Sequence, residues 1–245
     1  MSFRARPSGP AAPVPDKQTE ENRRPNMRKV DYYGKILAAL QRALPGNTHI
    51  AGGAVRDTVL ERPIRDVDIF LHEPDAVTAA ALLRSEFAYV KVGEWTTYEG
   101  FSDPMVTRVA KFEKADETIP ICLIGLREDL VPYRNVKRFD FGICMASWDG
   151  DEIRTTDECK RDMEGRAFTL CRADNYAQFA YSMVRFTKLT ADRYEGWALS
   201  VPEQFEDLAK EHAFRRHWYK EGEHFGFTNC PQVLRPKDRP LHGGK

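Results

Sequence analysis

The segment His49–Leu71, "HIAGGAVRDTVLERPIRDVDIFL", constrains this chain more than any other. A short β-type run, Thr48–Ala51, ends at Gly52-Gly53. Ala54–Leu60 has helical character directly after the glycines, Pro63 breaks it, and Val67–Leu71 reads as an apolar strand. The sequence thus sets a strand, a glycine turn, a helix and a second strand in close succession. At the start of that second strand, Asp66 and Asp68 flank Val67.

Side chains two apart on a strand share a face, so the two carboxylates stand about 7 Å apart and converge on one spot. Like charges that close repel, and each raises the other's pKa. A divalent cation removes that penalty. Mg²⁺ favours oxygen ligands and is usually held by one or two carboxylates together with substrate phosphates. Ile69, Phe70 and Leu71 bury the strand and hold the pair rigid. Upstream, Gly52 and Gly53 carry no Cβ, so their backbone N–H groups can approach phosphate oxygens, and the helix that opens there adds its positive end. A lone D-x-D is most often a solvated strand face, and a lone G-G an ordinary turn. The combination, with Arg56-Asp57 between them, is far more specific.

The rest of the chain reads as one α+β domain with appendages. Ile36, Leu37, Leu40 and Leu44 give a helix over Tyr32–Leu44, stopped by Pro45-Gly46-Asn47. A second helix is expected over Ala76–Phe87. Strands are expected at Tyr89–Val92, Val106–Phe112, Ile119–Leu126 and Arg138–Trp148, the last turned by Asp149-Gly150-Asp151 into Glu152–Thr155. Asn175–Arg193 reads as a long helix with Phe179, Met183, Phe186 and Leu189 on one face, and the region after Glu203 reads as mixed. The order predicts a mixed sheet with helices packed on one side. The expected division is a disordered tail at 1–27, a head domain at 28–173, a helical neck-like appendage at 174–228 and a C-terminal tail at 229–245.

Composition narrows the function classes. Lys+Arg and Asp+Glu both total 37, so any polyanion must be met by a local basic patch. No apolar run approaches the roughly 20 residues that span a bilayer, and no secretory h-region opens the chain, so no membrane partner is expected. The five cysteines are scattered without a C-x-x-C, which argues against a disulfide framework and points to a reducing, cytoplasmic setting. His212, His217 and His224 lie near Cys230, but their spacing fits no zinc site. "FRRHWYK", Phe214–Lys220, interleaves basic and aromatic residues, a pattern that serves RNA stacking or an ordinary amphipathic helix.

"GGAVRDTVLERPIRDVDIF" resembles the signature of the nucleotidyltransferase superfamily that includes DNA polymerase beta. It is most similar to the head domain of class II tRNA nucleotidyltransferases (CCA-adding enzymes) and bacterial poly(A) polymerases. Gly52, Gly53, Val55, Arg56, Asp57, Leu60, Arg62, Asp66, Asp68 and Ile69 match the G-G-x-V-R-D … D-x-D pattern. A second family motif, R-R-D-F-T-I-N, has its counterpart in "RFDFGIC": Arg138, Asp140, Phe141 and Ile143 match, while Phe139, Gly142 and Cys144 do not. "TTDECKRDMEGRAF" carries the echoes Asp157, Asp162 and Arg166, to which a structural role is assigned. "SMVRFTKLT" resembles the helix that opens the family's neck.

The resemblance implies a polymerase beta-like nucleotidyltransferase fold over roughly residues 32–192. It implies two Mg²⁺ ions among Asp66, Asp68 and Asp140 as catalytic and metal-binding carboxylates. Gly52, Gly53, Arg56, Asp57, Arg138, Arg185 and Lys188 are implied at the nucleotide. The implied reaction moves a nucleotide from an NTP (ATP, CTP or both) to an acceptor hydroxyl, releasing pyrophosphate, with a tRNA-like RNA 3′ end as the acceptor. The E-D-x-x-R motif that reads the base in CCA-adding enzymes is not found after the second motif. Nucleotidylation of a protein or small molecule therefore stays open, as does an inactive module that binds nucleotide or RNA.

Overall fold

The computed structural model describes residues 31–95, 103–115 and 117–221. The expected tails, with His224 and Cys230, lie outside the described residues. Helix α1 (31–43) buries Tyr33, Ile36, Leu37 and Leu40, the spacing of one helical face. It ends at Leu44, ahead of Pro45 and Gly46. There follow β1 (His49–Ala51), α2 (Gly53–Val59), β2 (Val67–His72), α3 (Ala76–Ser85), β3 (Val90–Trp95), β4 (Val106–Lys114) and β5 (Glu117–Leu126). After a short helix α4 (Pro132–Val136) come β6 (Ala146–Trp148), β7 (Ile153–Thr155), α5 (Asp157–Gly165), β8 (Ala167–Thr169), α6 (Tyr176–Asp192), β9 (Ala198–Ser200) and α7 (Glu206–Glu221).

The first seven strands form one sheet in the order β3-β4-β5-β2-β1-β6-β7. Only β2 and β5 run parallel, joined by a crossover that includes α3. The sheet is mixed and its helices pack on one side, as expected. Alternation sorts the side chains of β2: Val67, Ile69 and Leu71 enter the core shared with α1 and α3, and Asp68 and Phe70 point to the opposite face. Each fully buried Leu or Ile of that core contributes about 1.5–3 kcal/mol. The central, parallel pair is thus anchored by buried side chains, and it carries Asp68.

A second apolar cluster gathers Phe141, Ile143, Phe168, Leu170, Phe179 and Tyr194. The ring of Phe168 meets those of Phe141, Phe186, Tyr194 and Trp197 edge-on at 5.4–5.8 Å. This cluster seats α6 and the small parallel pair β8-β9 against the head. Helix α7 then packs along α6, which makes the C-terminal appendage helical. Among the described residues no helix is long and apolar enough to cross a membrane.

Two expectations change. The strand read over Arg138–Trp148 survives only as Ala146–Trp148; before it the chain makes a lone bridge at Phe141 and a 3-10 turn at Gly142–Cys144. Two side-chain carboxylates take backbone N–H groups that a strand ladder would have used. Asp140 accepts from Phe141 N at 3.0 Å, and the buried Asp162 accepts from Ile143 N at 2.7 Å. Asp162 also accepts from Thr169 N and Oγ1, which ties α5 to β8. The region after Glu203, read as mixed, is a 3-10 turn that runs into the sixteen-residue α7.

Candidate active site

The open face of the sheet floors a cleft with a cavity of about 310 Å³, within the usual size range for small-molecule sites. Its walls bring together residues from distant parts of the chain: Gly52, Gly53, Asp66, Asp68, Asp103, Cys122, Arg138, Asp140 and Arg185. Of the carboxylate and arginine side chains in that set, all but Asp103 were expected from sequence.

Gly52 sits between β1 and α2 at φ +80°, a backbone state that L side chains rarely adopt. Its N–H is tied to the carbonyl of Ala146 at 2.9 Å, and its carbonyl accepts from Arg56 N at 3.0 Å. The turn is therefore fixed by both the sheet and α2. A Cβ at Gly52 would stand 3.3 Å from the ring of Phe139, which also faces the cleft.

Asp68 lies on β2 directly across from Cys122 on β5. Burial, and then the negative charge of Asp66, push its carboxyl up to about 8; Arg185 and a hydrogen bond with Cys122 pull the other way. The Cys122 thiol is itself pushed up, by burial and by both aspartates. An acidic pair this uncomfortable is relieved by a cation. Asp66 and Asp68 offer hard oxygen donors at the cleft floor and fit a magnesium ion completed by water and phosphate oxygens.

Asp140, expected as the third metal carboxylate, is engaged otherwise. It is 1% exposed, and its oxygens accept from Ser182 Oγ at 2.9 Å and Arg185 Nη1 at 2.5 Å, besides the Phe141 N–H. Among the described residues no group of three His, Cys, Asp or Glu side chains is arranged to hold a metal ion. The structure thus brings Asp140 into the same cleft as Asp66 and Asp68 without assembling a three-carboxylate cluster. What Asp140 does hold is Arg185, the cation that also acts on Asp68.

The other residues expected at the nucleotide divide into two groups. Gly52, Gly53, Arg138 and Arg185 line the cleft; Arg56, Asp57 and Lys188 are placed elsewhere. Arg56 and Asp57 are each 2% exposed and face the end of α6. Asp57 accepts from Arg56 Nε at 2.8 Å, from Arg193 Nη1 at 2.5 Å and from the Tyr194 hydroxyl. Arg56 lies over the Tyr194 ring at 4.9 Å and donates to Cys144 Sγ at 3.3 Å. These two side chains bolt α2 to the end of α6. Lys188 is exposed on α6.

Sequence reasoning missed several cleft residues. Asp103 accepts from Arg138 and, at 3.1 Å, from Arg172 Nη1, so it fixes two arginines at the rim. Asn135, on α4, meets His49 Nε2 at 3.0 Å. Burial lowers the His49 pKa to about 4, so the ring is neutral. Phe70, Phe139 and Tyr181 give the cleft an aromatic lining. None of these has a local signature. Cys122 becomes visible only once β5 is known to lie beside β2.

No protein-family model matches the chain, and neither does any curated protein. Among solved structures, it is similar to a Thermotoga maritima CCA-adding enzyme complexed with tRNA, with TM-score 0.53, 16% identity and coverage of 79% of this chain and 44% of that one. A CCA-adding enzyme in complex with ATP gives TM-score 0.54, 16% identity and coverage of 79% and 44%. A tRNA nucleotidyltransferase complexed with a primer tRNA and an incoming ATP analog gives 0.51, 18%, 76% and 52%. The chain spans about half the length of the solved structures it matches. At these identities the likeness is one of fold: the head has the nucleotidyltransferase architecture seen in CCA-adding enzymes.

Proposed function

We propose that this protein is a metal-dependent nucleotidyltransferase that moves a nucleotide from an NTP to an acceptor hydroxyl and releases pyrophosphate. The observation that carries the reading is the Asp66–Asp68 pair, one carboxyl pushed up to about 8, on the floor of a cleft closed by the Gly52-Gly53 turn and two arginines. Asp66 and Asp68 would hold magnesium, which would supply positive charge to the triphosphate and activate the acceptor hydroxyl. The bare backbone at Gly52 and Gly53 lets the triphosphate approach closely. Arg138 and Arg185 face its negative charge, Arg138 set by Asp103 and Arg185 by Asp140 and Ser182. Asp140 in this reading acts through Arg185. The aromatic lining of Phe70, Phe139 and Tyr181 shields the nucleoside from water, and in-line attack at the α-phosphorus expels pyrophosphate.

ATP or CTP is the proposed donor and a tRNA-like RNA 3′ end the proposed acceptor. Solved structures of like fold, described as complexes with tRNA and with ATP or its analog, support an RNA acceptor and ATP. One observation favours a second reading, an inactive module that binds nucleotide: the described carboxylates do not form a three-ligand cluster. Each labelled NTP incubated with RNA, cell protein or small-molecule acceptors, with pyrophosphate release as the readout, separates these cases. The expected result is NTP-dependent labelling of RNA, lowered about 10²–10³-fold or more by Asp66→Ala/Asp68→Ala in a folded protein. Labelling by the double variant at the parental rate refutes the assignment. Metal-dependent NTP binding without pyrophosphate release selects the inactive module.

A further inference from the structure

Among the described residues, strand β3 closes the long side of the sheet with one free edge, and five of its six residues are exposed. Val90, Val92 and Trp95 are 63%, 52% and 41% exposed, an unusual load of apolar surface for an edge strand. Its sequence, "VKVGEW", mirrors itself about the midpoint: apolar, cation, apolar, then glycine, anion, aromatic. Lys91 and Glu94 occupy the two matching charged places.

In a regular strand this symmetry would be useless. Val90 and Trp95 are five apart, and Lys91 and Glu94 three apart, so each pair would straddle the sheet. Here the register with β4 slips between Lys91 and Gly93, making Val92 the extra residue of a bulge. Val90 pairs Glu113 and Trp95 pairs Val109, which places both on one face; Lys91 pairs Phe112 and Glu94 pairs Ala110, which places both on the other. The bulge therefore turns the sequence palindrome into a palindrome in space.

We infer that β3 is a self-association surface whose partner is a second copy of this chain. An antiparallel β3–β3 pair, with its two-fold axis at Gly93 and the bulged Val92 of each copy outside the ladder, sets Val90 of each copy beside Trp95 of the other. On the opposite face it sets Lys91 beside Glu94, twice. Every contact joins like faces, the condition for an isologous pairing. The charges are already poised: Lys91 Nζ lies 2.6 Å from Glu94 Oε2 within the chain, and Arg108 Nε holds Glu94 Oε1 at 2.9 Å. The exchange keeps Arg108 in place and trades two ion pairs, one within each chain, for two between chains.

One edge-strand pair buries less than a standard interface, so the association belongs at about 10–500 µM rather than nanomolar. Sedimentation equilibrium on the full chain at low ionic strength is the test. The wild type should shift from monomer toward dimer mass across that range. Lys91→Glu and Glu94→Lys, each with unchanged thermal stability, should stay monomeric, since each sets like charges against each other. Mixed one to one, the two variants should restore the dimer, because positions 91 and 94 are then both acidic in one copy and both basic in the other. A wild-type monomer throughout, a dimer that persists in both variants, or a mixture that stays monomeric overturns the inference.

Discussion

Replacing Asp57 separates stability from nucleotide binding. Its carboxylate receives Arg56, Arg193 and Tyr194 in a site where Asp57 and Arg56 are almost wholly buried. Asp57→Ala leaves the Arg56 guanidinium buried with a ring face and a thiol as its remaining neighbours. Breaking one side of a buried pair costs about 3–5 kcal/mol. For a chain of this size, about 4 kcal/mol lowers the melting temperature by about 8–16 °C. Urea unfolding followed by tryptophan fluorescence reads the loss directly, since Trp197 meets Tyr194 edge-on at a 5.0 Å centroid distance. Arg56→Met/Asp57→Asn should recover more than about 1 kcal/mol of it by removing the orphaned cation. NTP affinity, measured well below the melting transition, should stay within about threefold of wild type, because neither side chain faces the cleft. A stability loss under about 1 kcal/mol, or a collapse of NTP affinity in a fully folded Asp57→Ala protein, would refute the reasoning.

Two further outcomes follow from the cleft. Asp68 has a folded-state pKa raised from its ordinary value to about 8, so its contribution to stability is greatest at low pH and is lost as pH climbs toward 8. With metal chelated, Asp68→Asn should match wild type near pH 4 and exceed it by about 1–3 kcal/mol above pH 8 in urea titrations. Equal stability of the two proteins at both pH values would show that the carboxyl is not strained. Gly52→Ala forces a Cβ into the left-handed region and against Phe139, costing about 1–2 kcal/mol and weakening NTP binding in calorimetry more than Asp57→Ala does. An unchanged NTP affinity would place the triphosphate away from this turn.

The glycine turn and the Asp66–Asp68 strand were legible because their signals are local. Glycine punctuation, a short helix and an apolar strand with two carboxylates on one face all fall within His49–Leu71. Residues 138–145 misled because "RFDFGIC" alternates like a strand. The N–H groups of Phe141 and Ile143 are claimed by the side chains of Asp140 and Asp162, and Asp162 lies on a helix that follows later. Helix α7 was legible only as part of a helical appendage and as the amphipathic alternative for Phe214–Lys220; its weak amphipathicity hid its extent, although Glu206 and Asp207 in its first turn mark its start. Helix α4 has a start signal too, Pro132 at its first position, but too few residues for periodicity to register. Arg56 and Asp57 carried the family pattern faithfully. Their partners, the half-buried Arg193 and the buried Tyr194, are more than a hundred residues away, so sequence spacing could not tell a bolt from a binding residue.

The bonds that α6 sends back into the head set a limit on dissection. A chain cut after Ala173 would keep all seven strands of the large sheet. It would also strip Asp140 of Ser182 and Arg185, and Asp57 of Arg193 and Tyr194, so both carboxylates would lose the partners that α6 and its end supply. The boundary drawn between head and neck is thus a seam in the chain's course and not a place to divide the protein. The cleft cannot be carried whole to another scaffold unless this helix travels with it, because Tyr181 and Arg185 line it.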